Sequence, residues 1–329
     1  MSDQADTLRR LMQQRSAQDG ARDSYSKTRH APHVITVASG KGGVGKSCLV
    51  ANLGTLLARS GLRVLLIDGD FGLANLDIIF GVHAQASLEQ VLEGTVSMKS
   101  AVLGIEPNLW LLPSSSGLMG FRQKDTLTRN RMIEMLEKCP WEMDVILVDI
   151  GAGIHANVLN LHSAIYHSVV VLTPEPTSMT DAYGLIKLLR QEIGVSRVSV
   201  LVNQVADGKE GVQTFQKLKD VAARFLDVEL EYLGHCERDE KVTQSVIKRK
   251  ILVDLAPDAR STACLELLSK RLKSHRLGWM GEDTLEEGRS LSHLKVSSEM
   301  TSRFQDEPAR LAPGNGARFW RTLLGEVKV

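Results

Sequence analysis

A glycine-rich run, GKGGVGKS at residues 40–47, carries two lysines and a hydroxyl in the spacing of a phosphate-binding loop. An apolar run precedes it at 34–38, and Leu49, Leu53, Leu56 and Leu57 follow at helical spacing. Strand, loop and helix together turn the string into a site. Glycines let backbone N–H groups converge on phosphate oxygens, and the helix N-terminus adds its dipole. Gly40, Gly42, Gly43, Val44, Gly45, Lys46, Ser47 and Cys48 are therefore the candidate nucleotide-binding residues. Lys46 is expected to bridge the β and γ phosphates of ATP, and Ser47 to ligate Mg2+. Lys41 is surplus to this scheme, because Lys46 already serves the phosphates within one chain.

Three carboxylates stand at the ends of apolar runs, where ligands bind in open α/β sheets. They are Asp68 and Asp70 in LLIDGD and Asp149 in VILVDIGAG. Any one of them could instead cap the helix that follows.

Positioning these groups requires a sheet. Short apolar, β-branched runs recur at 34–38, 64–68, 145–149, 169–173 and 198–203, with amphipathic stretches between them. Runs apolar on both faces indicate parallel strands covered by helices on each side. The fold class is α/β, a doubly wound, mostly parallel sheet over 31–275, with 109–113 and 231–235 as candidate further strands. Outside it, residues 1–30 are polar apart from a possible short helix at 6–14, and 276–316 read as a flexible tether.

Composition narrows the class. The chain has 329 residues, 43% hydrophobic and 24% charged, which is ordinary for a soluble protein. A formal charge of +1 gives no global attraction to nucleic acid. Cys48, Cys139, Cys236 and Cys264 include no CxxC pair, so they read as small buried or half-buried residues in a reducing cytoplasm. His155, His162 and His167 fit none of the usual metal-ligand spacings. The start of the chain lacks the apolar stretch of a secretory signal, and no run is long and apolar enough to span a membrane.

The stretch KGGVGKS resembles the deviant Walker A motif of the MinD/ParA family. That resemblance implies an ATP-controlled homodimer in which Lys41 reaches the partner's phosphates and stabilises transition-state charge in trans. It implies that Asp149 holds Mg2+ through water, that Asp70 orients the attacking water, and that Asp68 stands close behind the metal. Asn203, in LVNQ, matches the adenine-reading asparagine, although a strand-end turn would also use it. Glu237 lies in CERD at 236–239, similar to the loop that covers the purine, with Cys236 where proline is frequent. Ile150 and Gly151 depart from the family's usual Thr or Pro after the Walker B acid, which implies slow catalysis.

Within that family, DGDFGLANLD (68–77), PEPTSMTDAYGLIK (174–187) and RDEKVTQSVIKRK (238–250) are similar to the flagellar-number regulators FlhG, FleN and YlxH. The start of the chain carries their DQAxxLR form, with Asp3, Gln4, Ala5, Leu8 and Arg9 as the partner-binding residues. In those regulators the peptide stimulates the GTPase FlhF, and the Gln4 amide has the chemistry to orient a hydrolytic water. The same resemblance implies a flagellar transcription regulator or basal-body proteins as further partners. A partition or division-site ATPase would use the same core. An iron–sulfur carrier would need paired cysteines.

At the other end, a helix over 318–328 places Phe319, Trp320, Leu323, Leu324 and Val327 on one side, opposite Arg318, Arg321 and Lys328. Such a face suits reversible attachment to an anionic lipid surface at the inner face of the cell membrane. It could equally pack on its own core or on a protein partner.

Overall fold

Every apolar run expected to be a strand is one. The computed structural model describes residues 32–71, 74–115, 131–132, 134–136, 139–153 and 167–283. Among these, β1 (His33–Ala38), β2 (Val64–Gly69), β3 (Leu103–Glu106), β4 (Leu109–Leu112), β5 (Val145–Ile150), β6 (His167–Leu172), β7 (Arg197–Val205) and β8 (Glu229–Glu237) form one sheet in the order β3-β4-β2-β5-β1-β6-β7-β8. All neighbours are parallel except β3 and β4, which pair antiparallel. β3 is the strand missed in sequence. It is short, sits on the sheet edge and is only partly buried, so it lacks the two-sided apolar pattern.

Alternation along the central strands sends neighbouring side chains to opposite layers. Val34, Ala38, Leu65, Ile67, Ile146, Val148 and Ile150 enter one core, with residues of α3 (Leu88–Glu93), α5 (Pro176–Leu188) and α6 (Gly208–Phe225). Ile35, Val37, Val64, Leu66, Val145 and Leu147 enter the other, with residues of α1 (Lys46–Arg59) and α9 (Arg260–Asp283). Leu65, Leu66 and Ile67 are 0% exposed. Each side chain buried this fully contributes about 1.5–3 kcal/mol, which locks strand register against slippage. Short helices α2 (Leu76–Phe80), α4 (Met98–Ala101), α7 (Glu240–Ile247) and α8 (Leu252–Leu255) complete the layers.

One boundary moves. Helix α9 continues to Asp283, through the first residues of the stretch read as a tether. Gly278 and Gly281 suggested a loop, but an isolated glycine costs a running helix only about 1 kcal/mol. The expected partner-binding peptide (Asp3, Gln4, Ala5, Leu8, Arg9) and the expected membrane-facing residues (Phe319, Trp320, Leu323, Leu324, Val327) lie outside the described residues, as do His155 and His162. No helix among the described residues is long and apolar enough to cross a membrane.

Candidate nucleotide-binding site

The loop from Gly40 to Ser47 leaves the end of β1, the strand flanked by β5 and β6, and enters α1. This is where the winding of the sheet reverses, the usual ligand crevice of such folds. Gly45 is the residue before the helix and has φ 87°, a left-handed conformation that favours glycine. Gly40 is needed for a different reason. A Cβ there would fall 2.2 Å from the backbone of Asp181, so the loop is seated directly on α5. Ser39 ties the neighbouring backbone together: its hydroxyl donates to the Lys41 carbonyl at 2.9 Å, and its carbonyl accepts the Gly153 N–H at 3.0 Å. The phosphate loop and the segment after β5 are thereby joined.

Register explains why the acids meet. Asp68 on β2 and Asp149 on β5 are paired partners in parallel strands, so their side chains point to the same face side by side. Both are 0% exposed. Lys46, itself buried, places its Nζ 2.5 Å from Asp149 Oδ1. The other oxygen, Asp149 Oδ2, is buried without a hydrogen-bond partner.

Asp68 is organised differently. Its Oδ2 accepts the N–H groups of Asn75 and Leu76 at 3.0 and 3.1 Å, and its Oδ1 accepts that of Asp70 at 3.1 Å. This carboxylate caps α2 and shapes the loop that carries Asp70, the helix-capping alternative weighed in sequence. Burial and the adjacent Asp149 charge push its pKa up to about 7 against the pull of those three N–H donors. Asp70 is half-buried at the mouth of the site. Burial raises its carboxyl too; Lys46 opposes that shift and Asp149 adds to it.

Gly151 explains one departure from the family pattern. A Cβ at this position would lie 2.7 Å from Asp70 Oδ1, so the residue that replaces Thr or Pro is the one that leaves room for the Asp70 carboxylate.

Lys41 is 37% exposed and already held: Nζ lies 2.6 Å from Glu175 Oε2 and 3.0 Å from Thr177 Oγ1, at the start of α5. The lysine lowers the Glu175 carboxyl below its usual range. Sequence reading missed this grip, because 134 residues separate the partners.

Beyond the phosphate loop a cleft is lined by Gly45, Cys48, Leu49, Asn203, Cys236, Glu237 and Leu265. Asn203, two residues before the end of β7, donates from Nδ2 to the Val44 carbonyl at 2.7 Å, bracing the loop from beneath. Glu237 ends β8, 3.8 Å from Arg260 Nη1. Burial pushes the Cys48 thiol up to about 11, against hydrogen bonds from Asn52 and Ser245, so it serves as a packing residue of the wall.

The donor set fits a magnesium ion. Asp149 Oδ2 is a buried carboxylate oxygen with no partner, and Ser47 brings a hydroxyl to the start of α1. Magnesium characteristically uses one or two protein oxygens with phosphate and water, which is what such a sparse set offers.

A family model described as ParA, NUBPL iron-transfer P-loop NTPase, matches residues 30–273. The chain is 35% identical over 245 residues to the antiactivator FleN of Pseudomonas aeruginosa, covering 74% of this chain and 88% of that protein. It is 35% identical over 265 residues to the flagellum site-determining protein YlxH of Helicobacter pylori, covering 78% and 86%. Among solved structures, the MinC:MinD cell division complex of Aquifex aeolicus superposes with a TM-score of 0.59 at 29% identity, over 74% of this chain and 96% of the other.

Proposed function

The chain belongs to the ParA/MinD family of P-loop NTPases, whose members are ATPases, and from that premise we propose that it is an Mg2+-dependent ATPase switch that controls flagellar number or placement. The supporting observation is that two flagellar regulators align along more than four fifths of their own length at 35% identity.

The residues divide the work as follows. Backbone N–H groups of residues 40–47 and the N-terminus of α1 receive the phosphates. Lys46 exchanges Asp149 for the β and γ phosphates, which leaves both Asp149 oxygens for the water shell of the metal. Magnesium, when bound beside Ser47, supplies charge neutralisation at the phosphates. Asp70 orients the attacking water from the mouth of the site, and Asp68 fixes the loop that carries Asp70. Asn203 and Glu237 flank the adenine. Lys41 releases Glu175 and Thr177 to reach the phosphates of a second copy of the chain, so that ATP stabilises the dimer and hydrolysis dissolves it.

The dimer's output lies in the chain ends. Asp3, Gln4, Ala5, Leu8 and Arg9 would enter an FlhF-type GTPase and stimulate it. Phe319, Trp320, Leu323, Leu324 and Val327 would hold the dimer on lipid, where two weak helices gain roughly 100-fold or more in avidity over one. Peripheral, reversible residence at the inner face of the cell membrane follows.

The deciding experiment titrates the full chain, and a variant lacking residues 1–20, into FlhF while following GTP hydrolysis. Stimulation by the full chain alone supports the flagellar role; no stimulation by either sinks it and leaves the ATPase standing. The similarity to a MinD that is bound to MinC supports a second reading, a division-site ATPase. Under that reading, ATP hydrolysis would respond to a division-site partner and deletion of residues 1–20 would have no effect.

A further inference from the structure

Cys236 and Cys264 have no role in the nucleotide chemistry, and the fold packs them into one layer beside the base cleft. Cys48, Cys236 and Cys264 are all free, and Cys48 and Cys236 line the cleft beside Asn203 and Glu237. Cys264, on α9, is half-buried and packs against the core cluster that holds the buried Cys236. One helical turn before Cys264, Arg260 Nη1 lies 3.8 Å from the carboxylate of Glu237, the residue after Cys236. The seam between β8 and α9 holds this arrangement together. A Cβ on Gly234 would come within 2.7 Å of the Leu268 side chain and 3.2 Å of Arg271 Nη1, and that same Nη1 donates to the Leu233 carbonyl at 2.7 Å. The strand therefore runs at closest approach to the helix just before it delivers Cys236 to Cys264.

The two sulfurs are not equivalent. The neighbouring Cys236 lowers the Cys264 thiol against partial burial, while Cys264 and burial push the Cys236 thiol up. Cys264 is the accessible thiol and Cys236 the buried one behind it, the placement of an attacking and a resolving cysteine.

We propose that Cys236 and Cys264 are a redox-responsive pair, converted by a hydroperoxide to a disulfide that weakens nucleotide binding. The Cys264 thiolate attacks the terminal peroxide oxygen, giving a sulfenic acid and releasing the alcohol, or water when the oxidant is hydrogen peroxide. The Cys236 sulfur then displaces hydroxide from that sulfenic acid, and the hydroxide leaves with the thiol proton as water. Two thiols are oxidised by two electrons and one peroxide is reduced. A disulfide sets its sulfurs about 2.05 Å apart, closer than any hydrogen-bonded pair. The end of β8 must move toward α9. That movement deforms the cleft wall, and its effect on ATP rests on the reading of that cleft as the adenine site.

The test treats the full-length reduced protein with hydrogen peroxide, blocks free thiols and maps cross-links by mass spectrometry. A fluorescent ATP analogue measures affinity in parallel. The expected result is a 236–264 cross-link that weakens nucleotide binding about 10-fold or more and reverses with dithiothreitol. Saturating ATP suppresses the cross-link by linkage. Cys264→Ser removes the cross-link and keeps the reduced-state affinity after peroxide, while Cys139→Ser behaves as the parent. Over-oxidation of Cys264 without a link to Cys236 overturns the proposal, as does a quantitative cross-link that leaves affinity within twofold. A reduced protein that bound no nucleotide would instead overturn the adenine-site reading and the regulatory effect with it, while the cross-link would still decide the thiol chemistry.

Discussion

A methyl group placed on Gly151 points at the carboxylate of Asp70. The added Cβ would sit 2.7 Å from Oδ1 and 3.2 Å from Cγ, so the carboxylate must yield by roughly 0.7 Å to reach the 3.4 Å at which ordinary contact begins. The obstruction is the end of one side chain and not backbone, so β5 keeps its place and stability changes by no more than about 1–3 kcal/mol. Displacement of a reacting group by about 1 Å can cost about 100-fold in rate. Gly151→Ala should therefore lower kcat for ATP hydrolysis by about 10- to 100-fold, equivalent to about 1.4–2.7 kcal/mol of barrier. Nucleotide affinity should stay within about threefold, since neither the phosphate loop nor the Lys46–Asp149 pair is touched. Steady-state phosphate release and equilibrium binding separate the two quantities. In an Asp70→Ala background the methyl should have no further effect, a non-additivity that a double-mutant cycle measures. Wild-type kcat in Gly151→Ala, or an equal loss of affinity and rate, would refute the claim that this glycine exists to seat Asp70.

Lys46→Met should leave Asp149 buried and unpaired, destabilising the nucleotide-free protein by about 3–5 kcal/mol in urea melts; a loss under about 1 kcal/mol would contradict the buried pairing. Asp68 has a folded pKa of about 7 against 3.8 unfolded, so the folded chain binds more protons between those values and its stability must fall as pH rises through that window. Urea midpoints of the nucleotide-free protein should decline from about pH 5 to about pH 7 and flatten above, more shallowly in Asp68→Asn; a rising midpoint would reverse the assignment. Asn203→Ala removes the 2.7 Å brace on the Val44 carbonyl. ATP affinity should fall about 10-fold, the scale of a lost buried hydrogen bond, and unchanged binding would show the brace to be idle.

Much of this architecture could be read from residue order because its signals are local. Val64 to Ile67 are apolar on both faces and could be nothing but an interior strand, and the glycines and Ser47 stand within one turn of each other. The alternating burial of Ile35 and Val37 against Val34 and Ala38 follows from strand geometry alone. What escaped was relational. Glu175 announces nothing about Lys41, because their contact depends on how α5 lies against the loop. Four cysteines without a CxxC spacing looked unconnected, yet β8 and α9 bring Cys236 to Cys264. Asp68 reads in sequence as an acid close behind the metal, and that its oxygens also cap α2 depends on the turn back of Asn75 and Leu76. The edge strand β3 carries a weak pattern because half its surface needs no burial.

The placement of β1 bears on how this protein is born. Its neighbours are β5 and β6, so each ladder partner of the phosphate-loop strand is synthesised at residue 145 or later. An emerging chain holds residues 40–47 early but has no sheet in which to hang them, and the Asp149 that neutralises Lys46 does not yet exist. Long-range parallel pairing of this kind is slow to close. Translation order therefore delays the site: the nascent chain can seat its phosphate loop only after most of the core has left the ribosome.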